Sequence, residues 1–109
     1  MTMQQLSGNY RDAHIERFAL GPHRDLTLFL QLDPASNPSI AQHAVVRFGA
    51  IVNYEEVAAF FSAMAASNAG GAPAEVRSLE HGAREGWGID VAGYGKLSIM
   101  SARCIEKKR

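Results

Sequence analysis

Cys104 is the only cysteine among 109 residues, so no disulfide can form within the chain. A lone cysteine points to a reducing compartment, and the expected location is the cytoplasm. Charge of one sign is also missing, since eleven basic side chains meet eleven acidic ones. Nucleic-acid binders carry a basic excess because phosphate contacts dominate their affinity, so nucleic acid is not the expected partner. The basic group Lys107, Lys108 and Arg109 reads as a solvated tail over residues 106–109.

Long apolar runs are lacking too. The central charge-free stretch, residues 57–74, is broken by Asn68, Gly70, Gly71 and Pro73, and does not read as a bilayer span. The opening, Met1-Thr2-Met3-Gln4-Gln5-Leu6-Ser7-Gly8, has neither a basic region nor an apolar run and does not read as a signal peptide. Residues 1–11 read as a loose lead-in to one domain covering residues 1–109.

Motifs with chemistry are absent as well. His14, His23, His43 and His81 stand in no metal-binding spacing. Gly86, Gly88, Gly93 and Gly95 do not form the dinucleotide fingerprint and have no strand–loop–helix context. They fit bulges and a hairpin turn instead. Asp12, Asp25, Asp33 and Asp90 fall at strand ends and turns, where aspartate terminates ladders. Cys104 reads as a small buried hydrophobe, although Lys107 and Lys108 nearby would favour a thiolate. Trp87 and Tyr94 read as core or turn residues that could also wall a pocket. No catalytic, cofactor-binding or metal-binding residue is assigned.

What is present is a pattern of strands. Leu26, Leu28, Leu30 and Leu32 alternate with Thr27, Phe29 and Gln31, a strict period of two. Before them, Ala13 and Ile15 share one parity and Phe18 and Leu20 the other, which a bulge near Glu16-Arg17 reconciles. Gly21-Pro22-His23-Arg24 joins the two as a hairpin, and residues 33–38, with two prolines, form a loop. A third strand is expected over residues 43–52, with Val46, Phe48 and Val52 on one side and Val45, Arg47 and Ile51 on the other.

Asn53 then fits a helix N-cap with Glu56 in capping-box position. Val57, Phe60, Phe61 and Met64 make one apolar helical face, and Asn68, Gly70 and Gly71 end it. Three short strands follow, over residues 75–81, 87–92 and 96–105, the last placing Leu97 and Ile99 opposite Met100, Ala102 and Cys104. The fold class is α+β, a mainly antiparallel sheet of about six strands in the order β-β-β-α-β-β-β with one amphipathic helix packed on it.

Six strands at about 4.8 Å spacing span roughly 24 Å, whereas a helix is some 10 Å wide. One helix cannot cover such a sheet, yet both strand parities carry large apolar groups. Either the sheet curls towards a half-barrel or a second copy covers it, and a homodimer is the expectation. Phe29, Val45, Ile51 and Met100 mark the surface that would meet a second copy or another protein.

The stretch Tyr10-Arg11-Asp12-Ala13-His14-Ile15, followed by the leucine-alternating strand, resembles the opening of many small uncharacterised bacterial domains. Some of these are grouped with immunity proteins of polymorphic toxin systems. The resemblance covers residues 10–32 and implies a protein that binds and blocks another protein. The expected function is thus a non-catalytic protein-binding or immunity-like domain without cofactors, contacting neither nucleic acid nor membrane. The alternative is a small enzyme or small-ligand-binding domain with a pocket built on His14, His43 or His81.

Overall fold

A computed structural model describes residues 10–32, 43–67, 74–81, 86–101 and 103–108. The expected loop over residues 33–38 and the helix-ending Asn68, Gly70, Gly71 and Pro73 lie outside these residues. The chain is α+β: β1 (His14–Gly21), β2 (Asp25–Gln31), β3 (His43–Gly49), α1 (Tyr54–Ser67), β4 (Ala74–His81), β5 (Gly86–Val91), β6 (Gly95–Met100) and β7 (Arg103–Lys108). The strand count is seven rather than six, because the last expected strand is divided in two. No helix of the described residues is long and apolar enough to cross a membrane.

All strands join one antiparallel sheet in the order β6-β5-β4-β1-β2-β3-β7. Laid flat, the outermost strands β6 and β7 would stand roughly 29 Å apart. Yet they are consecutive in the chain, and the step from Met100 to Arg103 reaches at most about 11 Å. The sheet therefore coils until the end of β6 meets the start of β7, and the two act as one bent strand. The first half pairs with β5 and the second with β3.

Ser101 sits at the bend, buried. Its Oγ lies 2.6 Å from the Gly49 carbonyl and 2.7 Å from that of Arg103, and accepts the Arg103 N–H at 3.2 Å. The bend also shifts the strand's phase, so Cys104 joins Leu97 and Ile99 in the core while Met100 is exposed. Glu106 and Lys107, expected in a tail, belong to β7 and pair with Val46 and Val45.

The β1–β2 register passes from Ile15↔Leu30 to Arg17↔Phe29, which makes Glu16 the extra residue of the expected bulge. Beyond it Phe18 and Leu20 turn inward beside Ile15. Leu26, Leu28 and Leu30 are fully buried, each stabilising the fold by roughly 1.5–3 kcal/mol. Helix α1 lies on the same inner side, with Phe61 5.3 Å from Phe18 between ring centroids. Trp87 packs edge-on to Phe48 at 5.8 Å. Tyr10, expected in the loose lead-in, is buried in this core, and its hydroxyl donates to the Glu106 carboxylate.

Asn53 does more than open the helix. Its side-chain amide donates to Glu56 Oε1 at 3.0 Å and to the Ser98 carbonyl at 2.7 Å, while its Oδ1 accepts the Met100 N–H at 2.9 Å. With Val52 N–H on the Met100 carbonyl at 2.8 Å, the β3–α1 connection occupies the free edge of β6. Arg24 fastens the same connection to the first hairpin, donating to the carbonyls of Ile51 and Val52 at 3.0 Å each.

Candidate functional site

Coiling gives the sheet an inner side filled by the core and an outer side. On the four strands β1, β2, β3 and β7 the outer side chains fall into rows set by the registers. One row runs Arg17–Phe29–Val45–Lys107 and the next Ala19–Thr27–Arg47–Ile105. Beyond these rows lie the pairs Gly21–Asp25 and Gly49–Arg103. Phe29 and Val45 are half-buried, and Ile105 is 50% exposed. An apolar centre thus lies among Arg17, Arg47, Arg103 and Lys107, all exposed. The Arg17 guanidinium stacks on the Phe29 ring at 3.7 Å, leaving its charge towards solvent. Helix α1 is on the inner side, so no described helix covers this face.

Of the four residues expected on a partner surface, Phe29 and Val45 are neighbours on this face. Ile51 is not available there: it is fully buried. Ala50 adopts a positive φ of 50°, which ends the alternation of β3 and turns Ile51 inward and Val52 outward, 75% exposed. The expected orientations of these two residues are therefore exchanged. Met100, 36% exposed, lies on β6 beside Val52 and apart from the Phe29 cluster.

Asp25 anchors one end of the face. It is 8% exposed, with Oδ2 accepting from Arg47 at 2.8 Å and Oδ1 buried with no hydrogen-bond partner. At the other end His14 and His43 are both in register with Gln31, one on each side of it. Each meets a carboxylate: His14 reaches Glu75 at 3.9 Å and His43 reaches Glu16 at 3.2 Å. A whole strand separates the two rings, about 9.6 Å between their strands, so they do not form one site. His81 packs against Trp87 at 4.7 Å, and His23 lies exposed in the first turn. The histidines do not converge, and no group of three or more potential metal ligands occurs among the described residues.

A second feature is a shallow concavity of about 270 Å³ on the outer side of β4, β5 and β6. Gly88 forms its floor, and Ser78, Glu80, Asp90, Lys96 and Ser98 stand around it. His81 also lines it, while Trp87 turns into the core and Tyr94 sits in the following turn.

Cys104 is unsuited to nucleophilic work. Burial pushes its thiol up to about 12, with the Glu106 charge adding to the effect. The neighbouring lysines do not reverse this. The Tyr10 phenol is pushed far above its ordinary value by burial, by its hydrogen bond to Glu106 and by that carboxylate's charge.

The cationic surround of Phe29 and Val45 escaped sequence reading because its members come from β1, β3 and β7. Only the strand order brings Arg17, Arg47, Arg103 and Lys107 onto one face. Comparison with protein-family models, curated proteins and solved structures yields no match.

Proposed function

We propose that the protein is a non-catalytic binding domain that docks another protein on the outer face of β1, β2, β3 and β7. The observation that carries this reading is the apolar cluster Phe29, Val45 and Ile105 ringed by four cationic side chains. Apolar centres with polar rims, rich in arginine and aromatic groups, are the anatomy of protein interfaces. The blocking role implied by the resemblance of residues 10–32 is of the same class.

A second copy is the other occupant the sequence brings to mind. Two-fold stacking of this face would set each ring of cations against its equal, which costs several kcal/mol for like charges in contact. Coiling also removes much of the uncovered apolar surface on which the dimer expectation rested. The reading is therefore of a different protein as occupant. Light scattering of the purified chain separates the two, with a mass near 11.8 kDa supporting it and twice that mass supporting a dimer.

Docking itself is tested by using the full chain and a Phe29→Asp/Ile105→Asp variant as parallel baits, after circular dichroism shows both folded. A protein retained by the first and lost from the second supports the reading. A protein retained equally by both places the binding surface elsewhere.

The concavity at Gly88 supports a second reading, a site for a small polar ligand. Five polar side chains point around an open floor there, and none makes a hydrogen bond or ion pair among the described residues. A thermal-shift panel of metabolites against the wild type and Gly88→Val tests it through a shift seen only in the wild type.

A further inference from the structure

We propose that the partner presents an acidic, extended segment to this face, with carboxylates at positions i and i+4 and an apolar residue at i+2 between them. The inference rests on the docking reading above and names the chemistry of the occupant.

Charge is the first argument. The face carries Arg17, Arg47, Arg103 and Lys107 against Glu16 and Asp25, a surplus of two positive charges in a chain whose total is zero. Asp25 already serves Arg47, and Glu16 serves His43. Among the described residues Arg17, Arg103 and Lys107 make no ion pair. Three cations of this face are thus without an anionic partner among the described residues.

Spacing is the second. The backbones of Arg17 and Lys107 end one cross-strand row, three strand spacings apart, or about 14 Å. Arg103 lies four residues from Lys107 along β7, about 13 Å. In an extended chain, residues i and i+4 point to the same side and also stand about 13 Å apart. A segment lying along the first row would set its two carboxylates over Arg17 and Lys107. Its middle side chain would then rest on Val45, beside the Arg17–Phe29 stack.

Nucleic acid fits less well. The Phe29 ring is covered by Arg17 and is not open for base stacking. Two carboxylates also stand in the face, where phosphates would meet them.

The test selects binders for the immobilised full chain from a random dodecapeptide library. It then measures the enriched peptides against the wild type, Lys107→Glu, Arg17→Glu/Lys107→Glu and Phe29→Asp, each checked for folding. The Lys107 side chain is exposed and makes no hydrogen bond or ion pair among the described residues, so that variant guards against misfolding in the others. The expected result is enrichment of acid-x-apolar-x-acid sequences. Their affinity should fall at least about tenfold on the double charge reversal, and should fall as salt is raised.

Peptides that bind without acidic excess, lose affinity in Phe29→Asp and ignore the charge reversals would overturn this inference but leave the docking reading standing. Peptides that bind the wild type and Phe29→Asp equally would overturn both. An empty selection, or binding of oligothymidylate in place of any peptide, would overturn the acidic segment.

Discussion

The carboxylate of Asp25 lies over the bare Cα of Gly21, its partner across the β1–β2 ladder. A Cβ built on Gly21 would stand 2.6 Å from Asp25 Cγ, closer than two unbonded carbons can approach. Asp25 cannot simply swing aside, because it is buried and tied to Arg47. Gly21→Ala should therefore destabilise the fold by about 1–3 kcal/mol, the usual cost of overpacking. Urea denaturation measures this, and an unchanged midpoint would mean that the Asp25–Arg47 pair relaxes freely.

Closure of the sheet depends on the bend at Ser101. Its hydroxyl is within hydrogen-bond distance of two carbonyls and one N–H around that bend. Ser101→Ala should cost about 1–3 kcal/mol, because it leaves these buried groups unsatisfied. The expected outcome is a lower urea midpoint with an unchanged slope. A wild-type midpoint would show that the bend is set by packing alone.

How much of this was legible in the sequence depends on whether a residue's role is local. The alternation of Leu26, Leu28, Leu30 and Leu32 and that of Trp87, Ile89 and Val91 reach directly into the core. The bulge at Glu16 followed from a phase slip that no regular strand could carry. Two breaks were hidden because the residues that make them are ordinary. Ala50 takes a left-handed conformation that alanine rarely adopts, and this sends Ile51 to the core in place of Val52. Ser101 divides the last strand through contacts with Gly49, fifty-two positions away in the chain. The cationic ring was hidden for the same reason, since a register across four strands is not a property of any one segment. Phe29 and Val45 were legible as apolar residues on an outer parity, but their neighbours were not.

Cys104 and Tyr10 give the fold a dependence on alkaline pH. Both groups stay protonated in the folded chain above the pH at which they ionise when unfolded. For Cys104 the unfolded value is 9.0 and the folded value about 12. Well below pH 9.0 both states hold the proton and the shift has no effect. Above it the unfolded state loses the proton first, so stability falls as pH rises. Urea midpoints between neutral pH and pH near 11 should fall more steeply for the wild type than for Cys104→Ala. Equal slopes would contradict the burial of the thiol. A thiol-specific reagent at mildly alkaline pH should likewise react slowly with native protein and rapidly in urea.

Gly88 leaves open space where a side chain would project, with no atom within 4 Å of the point a Cβ would occupy and no positive φ. Gly88→Val should therefore be accepted on β5. It should raise stability by up to about 1 kcal/mol, through lower unfolded-state entropy and better strand propensity. Thermal unfolding measures the change. A clear loss of stability would mean that the concavity is needed by the fold and not by a ligand.

The claim that the outer face of β1, β2, β3 and β7 is the docking surface is tested most directly by amide chemical-shift mapping. The isotope-labelled full chain would be titrated with the partner it retains, or with the strongest peptide selected against it. The account predicts shifts concentrated at Arg17, Phe29, Val45, Arg47, Ile105 and Lys107, with the strand β5 around Gly88 unmoved. Shifts centred on Gly88, Asp90 and Ser98, with Phe29 and Val45 silent, would contradict it and move the function to the other half of the sheet.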